Sequence, residues 1–356
     1  MNRAPEFNPN WSTPPGDTMR SLLKEKHLAQ KDLAVAIGLN AEATTLLLNG
    51  GIEITSPLAN RLAGFLGRTP AFWLNRDKQY RERMRAIESG ETFLKLLPLR
   101  DMIDYGWLPQ SKSRVELLHN CLQFFQVPDI RAWEQRYQDL VESAAFRTSP
   151  TFESETGSVT AWLREGERRA AKLSTGTWSR QSFRAVLETI RPLTRESDPD
   201  IFIPLLVDLC ATGGVALTIV RAPRGCRASG ATRISSDGRA MILLSFRYLS
   251  NDHFWFTFFH EAGHLLLHKD AEMFIDEPSR TRSQDEVEAD LFASEYLIPP
   301  EFKPELFDLR PNAREVVRFA RRVGIAPGIV VGQLQHHGRL RRNQLNGLKR
   351  RFQWSD

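Results

Sequence analysis

Apolar residues recur at helical spacing through the first part of the chain. Between residues 17 and 85, leucine and isoleucine fall three or four positions apart in stretches such as "SLLKEKHLAQKDLAVAIGLNAEATTLLLNGG", as expected for helices that bury one face. Gly38 separates two short periodic runs, and a glycine at such a break permits a tight turn. This region is therefore predicted to be an all-α helix-turn-helix domain.

The same spacing continues from residue 86 to residue 199. Segments such as "SRVELLHNCLQFFQV" and "SRQSFRAVLETIRPL" predict helices, and Trp133, Trp162 and Phe183 occupy positions expected to face a core. The region carries no constellation of catalytic residue types, and we interpret it as a helical scaffold.

The pattern changes after residue 200. The apolar stretches "GVALTIV" and "RAMILLS" predict two β-strands, with a turn at Ser236, Asp237 and Gly238 before the second. Two helices follow: "DHFWFTFFHEAGHLLLH", which Asn251 or Asp252 can cap, and "SQDEVEADLFASEYLI", which ends before two prolines. The chain as a whole is predicted to be mainly α-helical, with a small α+β domain near its C-terminal end.

Composition excludes several classes of protein. With 356 residues, of which 41% are hydrophobic, the chain can form two or three compact domains. Three cysteines without a CxxC pair predict neither a disulfide framework nor a cysteine zinc site, and they favour a reducing, cytoplasmic location. The longest apolar stretch is interrupted by Pro204, Asp208 and two glycines, so no membrane span is expected. Residues 1–16, rich in Asn and Pro, are predicted to be a disordered leader.

The positive charge is concentrated at one end. The formal net charge is +5, and residues 336–356 alone contain six Lys or Arg against one Asp. A basic tail of this kind can attract nucleic acid, although a solvated helix face is the more common explanation of such a run. We predict that residues 311–356 form a helical, basic segment.

The stretch "FFHEAGHLLLH" contains the strongest chemical signal. On a helix, His260 and His264 lie on one face a turn apart, so both imidazoles can reach one metal ion, with Glu261 beside them. Two histidine ligands leave a catalytic zinc site in need of a third protein ligand, with water in the fourth position. The alternative is a pair of core histidines, but burying the Glu261 carboxylate would then be costly.

The following helix contains the acidic candidates for the third ligand. Glu286 lies 26 residues after His260, and Asp290 follows one helical turn later on the same face. Such a pair suits a carboxylate ligand and an acid that orients a ligand histidine. A solvated acidic helix face would explain Glu286, Glu288 and Asp290, but not their pairing with HExxH.

The first domain resembles the Xre superfamily, and in particular HigA-type antitoxins, on the helix-turn-helix and the following "ITSPLANRLAGFLGRTPAFWLN". The resemblance implies contacts with DNA, with a toxin-like partner or with a second copy of the chain. Because the recognition helix offers few side chains that read bases, we expect Thr44 to face inward and take Asn40, Thr45 and Lys31 as the DNA-binding candidates. A small helical domain that serves dimerisation or a protein partner is the alternative.

The third region resembles the ImmA/IrrE family of zinc metallopeptidases on "MILLSFRYLSNDHFWFTFFHEAGHLLLH" and "EVEADLFASEYLIPP". The resemblance implies a zincin-like metallopeptidase core over residues 200–310. In that core His260, His264 and Glu286 would bind zinc, and Glu261 would act as the general base.

Other site residues remain alternatives at this point. Glu288 replaces Glu286 as the third ligand if the register of the second helix differs. His268 and Asp290 are expected beside the ligands rather than among them. Three side chains are eligible to stabilise the oxyanion: Tyr248, His253 and Tyr296.

Two functions therefore compete. The first is a zinc metalloendopeptidase that cleaves a specific protein, such as a transcriptional repressor, in a stress, phage or mobile-element response. The second is an Xre-type DNA-binding repressor or antitoxin with a toxin-like partner, in which the zinc site is structural or vestigial. Both are expected of a cytoplasmic protein without a membrane partner, with homodimerisation open in either case.

Overall fold

The chain divides into two compact units in the computed structural model, Met1–Leu94 and Lys95–Asp356. The structure describes residues 13–137, 155–235, 237–268, 273–276 and 283–354, with 273–276 described by backbone alone. Most of the predicted leader and Ser236 of the predicted turn lie outside the described residues. None of the helices in these ranges is both long and apolar enough to cross a bilayer.

The first unit is all α-helical over its described residues, as predicted. Its helices are α1 (Pro15–Glu25), α2 (Gln30–Ile37), α3 (Ala41–Leu48), α4 (Ser56–Leu66) and α5 (Pro70–Leu96), the last of which extends into the second unit. Their apolar faces form a core that includes Met19, Leu33, Leu62 and Trp73, each fully buried.

The turn between α2 and α3 follows the sequence pattern. Gly38 ends α2 with φ of 68°, in the left-handed region that favours glycine. Asn40 then caps α3, because its side-chain oxygen accepts from the Ala43 amide at 2.7 Å. The predicted helix-turn-helix is confirmed.

The second unit surrounds a small sheet with helices. The helices are α6 (Leu99–Asp104), α7 (Arg114–Phe125), α8 (Ile130–Arg136), α9 (Thr156–Ala170), α10 (Arg180–Ile190), α11 (Pro199–Thr212), α12 (Asn251–Leu267), α13 (Gln284–Leu297), α14 (Lys303–Asp308), α15 (Ala313–Val323) and α16 (Pro327–His336). Short 3-10 turns lie at Arg191–Arg195, Pro300–Phe302 and Asn346–Leu348. Trp133, Trp162 and Phe183 are buried, which confirms their prediction as core residues.

Four strands form the sheet in the order β1-β3-β2-β4. They are β1 (Val215–Ile219), β2 (Gly230–Ile234), β3 (Ala240–Leu244) and β4 (Met273–Asp276). β1 and β3 are parallel, whereas β2 runs antiparallel to both of its neighbours, β3 and β4. β1 and β3 are the two predicted strands. β2 was missed because it begins with glycine and has no continuous apolar run, and β4 because it has only four residues.

The sheet lies between helices on both faces. Ile242 and Leu244 of β3 join the core formed with α11 and α12. On the other face α9 packs so closely that a side chain at Gly166 would lie 2.5 Å from the Leu243 side chain. The predicted middle region, residues 86–199, therefore contributes a layer to the same unit as the sheet.

The structure has no breaks at three of the predicted domain boundaries. Residues 85 and 86 lie within the continuous helix α5, and residues 199 and 200 both lie in the first turn of α11. Pro15 and Gly16, assigned to the leader, begin α1 and are buried. Burial of these residues and continuous backbone hydrogen bonding explain the absence of linkers there.

The basic C-terminal segment packs against the start of α12. Lys349 pairs with Asp252 at 2.5 Å, and the Asn251 side chain accepts from the Arg350 amide at 3.0 Å. Asn251 and Asp252 therefore do not cap α12 as predicted, and Ser250 occupies the N-cap without a side-chain bond. Arg351 also donates to the Tyr248 carbonyl, so packing accounts for much of this basic cluster.

Candidate metal centre

The HExxH residues lie on the buried side of α12. His260, Glu261 and His264 are 2%, 0% and 1% exposed, because the helix packs between the sheet and α13. The spacing of four residues places the two imidazoles on the same face. Their Nε2 atoms converge to 3.0 Å.

Glu286 of α13 completes this group. Its Oε2 lies 3.3 Å from His260 Nε2, and its Oε1 lies 3.4 Å from His264 Nε2. Zinc bonds of about 2.0–2.1 Å in a tetrahedron place neighbouring ligand atoms roughly 3.3 Å apart. The three side chains therefore have the donor types and the separations that zinc requires, without further rearrangement.

The protonation states also favour a cation. Burial by itself would raise the pKa of Glu286, but hydrogen bonds with His260 and His264 outweigh it and lower the pKa to about 2. Burial lowers the pKa of His264, against the opposing effect of Glu286, and so favours the neutral imidazole that binds metals. An ionised carboxylate thus faces two imidazole nitrogens.

Outer partners orient both histidines. His260 Nδ1 lies 3.0 Å from Asp290 Oδ1, and His264 Nδ1 lies 3.1 Å from His268 Nδ1. If each Nε2 presents its lone pair to the metal, Nδ1–H of His260 donates to Asp290 and Nδ1–H of His264 donates to His268. Both outer partners are residues that the sequence placed beside the ligands.

Glu288 belongs to this outer layer. Its Oε2 lies 3.3 Å from His268 Nε2, and Asp285 Oδ1 lies 3.7 Å from the same nitrogen. Because His268 accepts a hydrogen bond at Nδ1 in this arrangement, its Nε2 carries the hydrogen that it donates to Glu288. Glu286 is therefore the carboxylate whose oxygens lie near both Nε2 atoms, whereas Glu288 contacts His268.

Close packing of α12 on α13 sets this register. Gly263 lies against Ala289, and a β-carbon at Gly263 would be 3.2 Å from the Ala289 Cα. The small residues let the two backbones approach, which places Glu286 next to His260 and His264 and turns Glu288 towards His268.

Strand β2 holds Glu261, which sequence reasoning did not foresee. The Thr232 hydroxyl donates to Glu261 Oε2 at 2.5 Å. Gly230, at the start of the same strand, leaves room for the carboxylate, because a β-carbon there would lie 2.2 Å from Glu261 Oε1. The only sequence signal is the short "GATRI" run, which has neither a continuous apolar stretch nor a clear alternation of apolar and polar residues.

The three oxyanion candidates are in different surroundings. The Tyr296 hydroxyl donates to Glu188 Oε1 at 2.7 Å, and burial together with that bond raises its pKa. Tyr248 stacks on His253 with ring centroids 4.3 Å apart. His253 also lines a cavity of about 190 Å³ that Asp290 borders, and desolvation lowers its pKa although Asp252 opposes the shift. His253 is therefore the candidate with a cavity next to the metal centre.

The three DNA-binding candidates, Asn40, Thr45 and Lys31, are exposed on the surface of the first unit. Thr45 accepts a hydrogen bond from Gln30 at 2.9 Å, and Lys31 is exposed next to Gln30. The side-chain oxygen of Asn40 serves as the N-cap of α3, which ties it to the backbone. Thr44 is fully buried, as predicted.

Comparison with known proteins finds different relatives for two parts of the chain. Residues 217–334, which contain all three candidate ligands, match the Peptidase_M78 model, the IrrE N-terminal-like domain. In the N-terminal part, antitoxin HigA-1 of Vibrio cholerae serotype O1 (strain ATCC 39315 / El Tor Inaba N16961) is 43% identical over 53 residues, covering 15% of this chain and 50% of the antitoxin. The chain thus spans about half the length of that curated relative.

A solved structure adds to the second comparison. An addiction module antidote protein of a HigA family from Coxiella burnetii is 33% identical, and the match covers 24% of this chain and 92% of that chain with a TM-score of 0.21. The similarity to HigA proteins therefore rests on sequence.

Proposed function

We propose that this chain, which carries an IrrE N-terminal-like peptidase domain at residues 217–334, is a zinc-dependent metalloendopeptidase with a regulatory role. The observation that carries the proposal is the convergence of His260, His264 and Glu286 at tetrahedral separations next to the buried carboxylate of Glu261. This arrangement combines a metal-binding set with a base held for proton transfer.

The side chains have separate tasks in this proposal. Zinc, when bound by His260, His264 and Glu286, lowers the pKa of coordinated water and polarises the peptide carbonyl. Glu261 accepts the proton of the attacking water and then delivers it to the leaving amine. The Thr232 hydroxyl fixes the orientation of the Glu261 carboxylate, so that little rearrangement precedes proton transfer.

We infer the substrate class from the presence of an IrrE-like domain and a HigA-like part in one chain. The IrrE-like domain supports protein cleavage, and the HigA-like part supports contact with DNA or with a regulator. We therefore propose a transcriptional repressor or similar regulator as the substrate, cleaved in the cytoplasm during a stress, phage or mobile-element response. The helix-turn-helix unit would bring the peptidase to the regulator or its operator.

Metal removal tests this proposal directly. We expect the purified full chain to cleave a mixture of unfolded proteins at defined bonds, identified by mass spectrometry of the fragments. Treatment with 1,10-phenanthroline should abolish cleavage, and added zinc should restore it, because the base alone leaves the carbonyl unpolarised. Cleavage that continues unchanged in the chelator would contradict a zinc peptidase.

The contact between β2 and Glu261 gives a second test. We expect Gly230→Ala to keep its zinc but to lose about a hundredfold in cleavage rate, because the new methyl group would displace the general base. Gly64→Ala on α4 is the matched control, since a β-carbon there meets nothing within 4 Å. Full activity of Gly230→Ala would show that the carboxylate position is not critical.

The similarity to HigA antitoxins supports a second candidate function, operator binding by the first unit. A DNA-binding repressor or antitoxin predicts binding to the DNA upstream of its own gene, with an affinity that falls steeply as salt rises. Lys31→Ala should lower the slope of log affinity against log salt by about one if Lys31 holds a phosphate. Equal affinity for unrelated DNA would argue against a repressor.

A further inference from the structure

A cavity of about 280 Å³ lies on the face of the sheet opposite α12. Arginines from three separate elements meet there: Arg136 of α8, Arg164 of α9 and Arg233 of β2. All three pair with one carboxylate, Glu167: Arg136 at 2.8 Å, Arg164 at 2.9 Å, and Arg233 by a short contact. The metal centre uses none of these residues.

The charges around this arginine cavity do not balance. Arg239 adds a fourth guanidinium to the lining, and Asp237 adds a second carboxylate. Four cations against two anions leave a net charge of +2. Gathering cations in a partly buried space is unfavourable unless they are compensated. The excess charge thus favours an anion inside the cavity.

Two of the guanidiniums are held in place. Arg164 donates through Nε to the Phe124 carbonyl at 2.9 Å, and Arg136 donates through Nη1 to the Phe125 carbonyl at 3.1 Å. Both carbonyls belong to the last turn of α7, where the helix leaves such groups without intrahelical partners. Because these side chains are already ordered, little conformational entropy remains to be lost on binding.

Small residues create the space. Ala216, Met241 and Arg233 form a row in register across β1, β3 and β2, which makes the floor. Ala170 and Ala171 face it from the end of α9. The cavity thus combines four arginines with an apolar surface of alanine and methionine, and its volume is near the lower limit for small-molecule sites, about 300 Å³.

We propose that the arginine cavity binds a small anionic metabolite through a phosphate or carboxylate group, with a short apolar body against the alanine and methionine floor. Planar guanidiniums are suited to both groups, because they offer two parallel N–H donors. The site lies directly behind the catalytic glutamate: Arg233 faces the cavity, and the preceding residue, Thr232, bonds Glu261 on the other face of β2.

Calorimetric titration of the full, zinc-containing chain tests this inference. Inorganic phosphate and succinate serve as the two probes, each at constant ionic strength with chloride as the balancing anion. We expect saturable binding of one probe molecule per chain for at least one of them, and the preferred probe identifies the group. Failure of both to bind saturably overturns the proposal.

Arginine variants locate the bound anion. Arg239→Ala at the exposed rim and Arg233→Met on the floor should each weaken binding about tenfold or more, as expected for a lost charge-assisted contact. Arg321→Ala, an equal change of charge at an exposed position of α15, should bind like wild type. Thermal melting checks that Arg233→Met is folded. If Arg233→Met does not fold, Arg239→Ala alone tests whether the anion binds in the arginine cavity.

Binding that is unchanged in Arg239→Ala and in folded Arg233→Met overturns the proposal, because the anion would then lie at the metal or elsewhere on the surface. The peptidase proposal is tested separately, since its chelator experiment does not involve these arginines.

Discussion

Glu261→Gln should retain about one zinc per chain while losing about a hundredfold to ten-thousandfold in peptide hydrolysis. The amide keeps the size of the carboxylate and can still accept from Thr232, but it cannot take a proton from water. Elemental analysis should therefore find an unchanged zinc content in this variant, while the measured cleavage rate falls.

Glu315→Gln provides the control for this variant. It removes one negative charge from α15, where Glu315 pairs with exposed Arg318, and should leave both zinc and activity unchanged. Hydrolysis at the wild-type rate in Glu261→Gln would mean that another group acts as the base. Loss of zinc in that variant would instead indicate a structural effect.

Substitution of a candidate zinc ligand should have an effect on metal binding as large as the effect of Glu261→Gln on hydrolysis. We expect His264→Ala and Glu286→Ala each to lose the zinc and with it all cleavage, because either change leaves only two protein donors. Asp290→Asn should weaken zinc binding by about 10–100-fold, the usual effect of losing an outer partner of a ligand histidine. Zinc content and competition with a chelator would measure this graded series.

Glu288→Ala distinguishes the two acidic candidates on α13. Glu288 contacts His268 and not the convergent Nε2 atoms, so its removal should leave the zinc content near one per chain. Zinc kept in Glu286→Ala but lost in Glu288→Ala would move the third ligand to Glu288 and require a different register of α13. Thermal melting of each variant would separate ligand loss from unfolding.

Some features of the two candidate sites could be predicted from patterns of neighbouring residues, and others could not. The α2–Gly38–α3 arrangement was predictable because helical spacing and the left-handed glycine are properties of neighbouring residues. The role of Asn40 was harder to predict, because an N-cap residue and a base-reading side chain can have the same sequence context. The strand β2 was missed, and with it Thr232.

The sequence by itself determined that His260 and His264 share a helix face with Glu261 beside them, because residues four apart in one helix have only one spatial relation. It also determined the helical character of the first unit. Only the tertiary structure shows that Glu286, rather than Glu288, lies near both Nε2 atoms, since this depends on how closely α12 and α13 approach at Gly263 and Ala289.

The arginine cavity and the Thr232–Glu261 contact also depend on tertiary structure. The arginine cavity brings together residues from α8, α9 and β2 that are far apart in sequence, and no periodic pattern links them. Thr232 likewise meets Glu261 only because β2 lies against α12 in the folded unit. The relative positions of residues within one helix or strand are set by backbone geometry and can be predicted from sequence spacing. Contacts between different elements depend on how those elements pack, which a single sequence does not show.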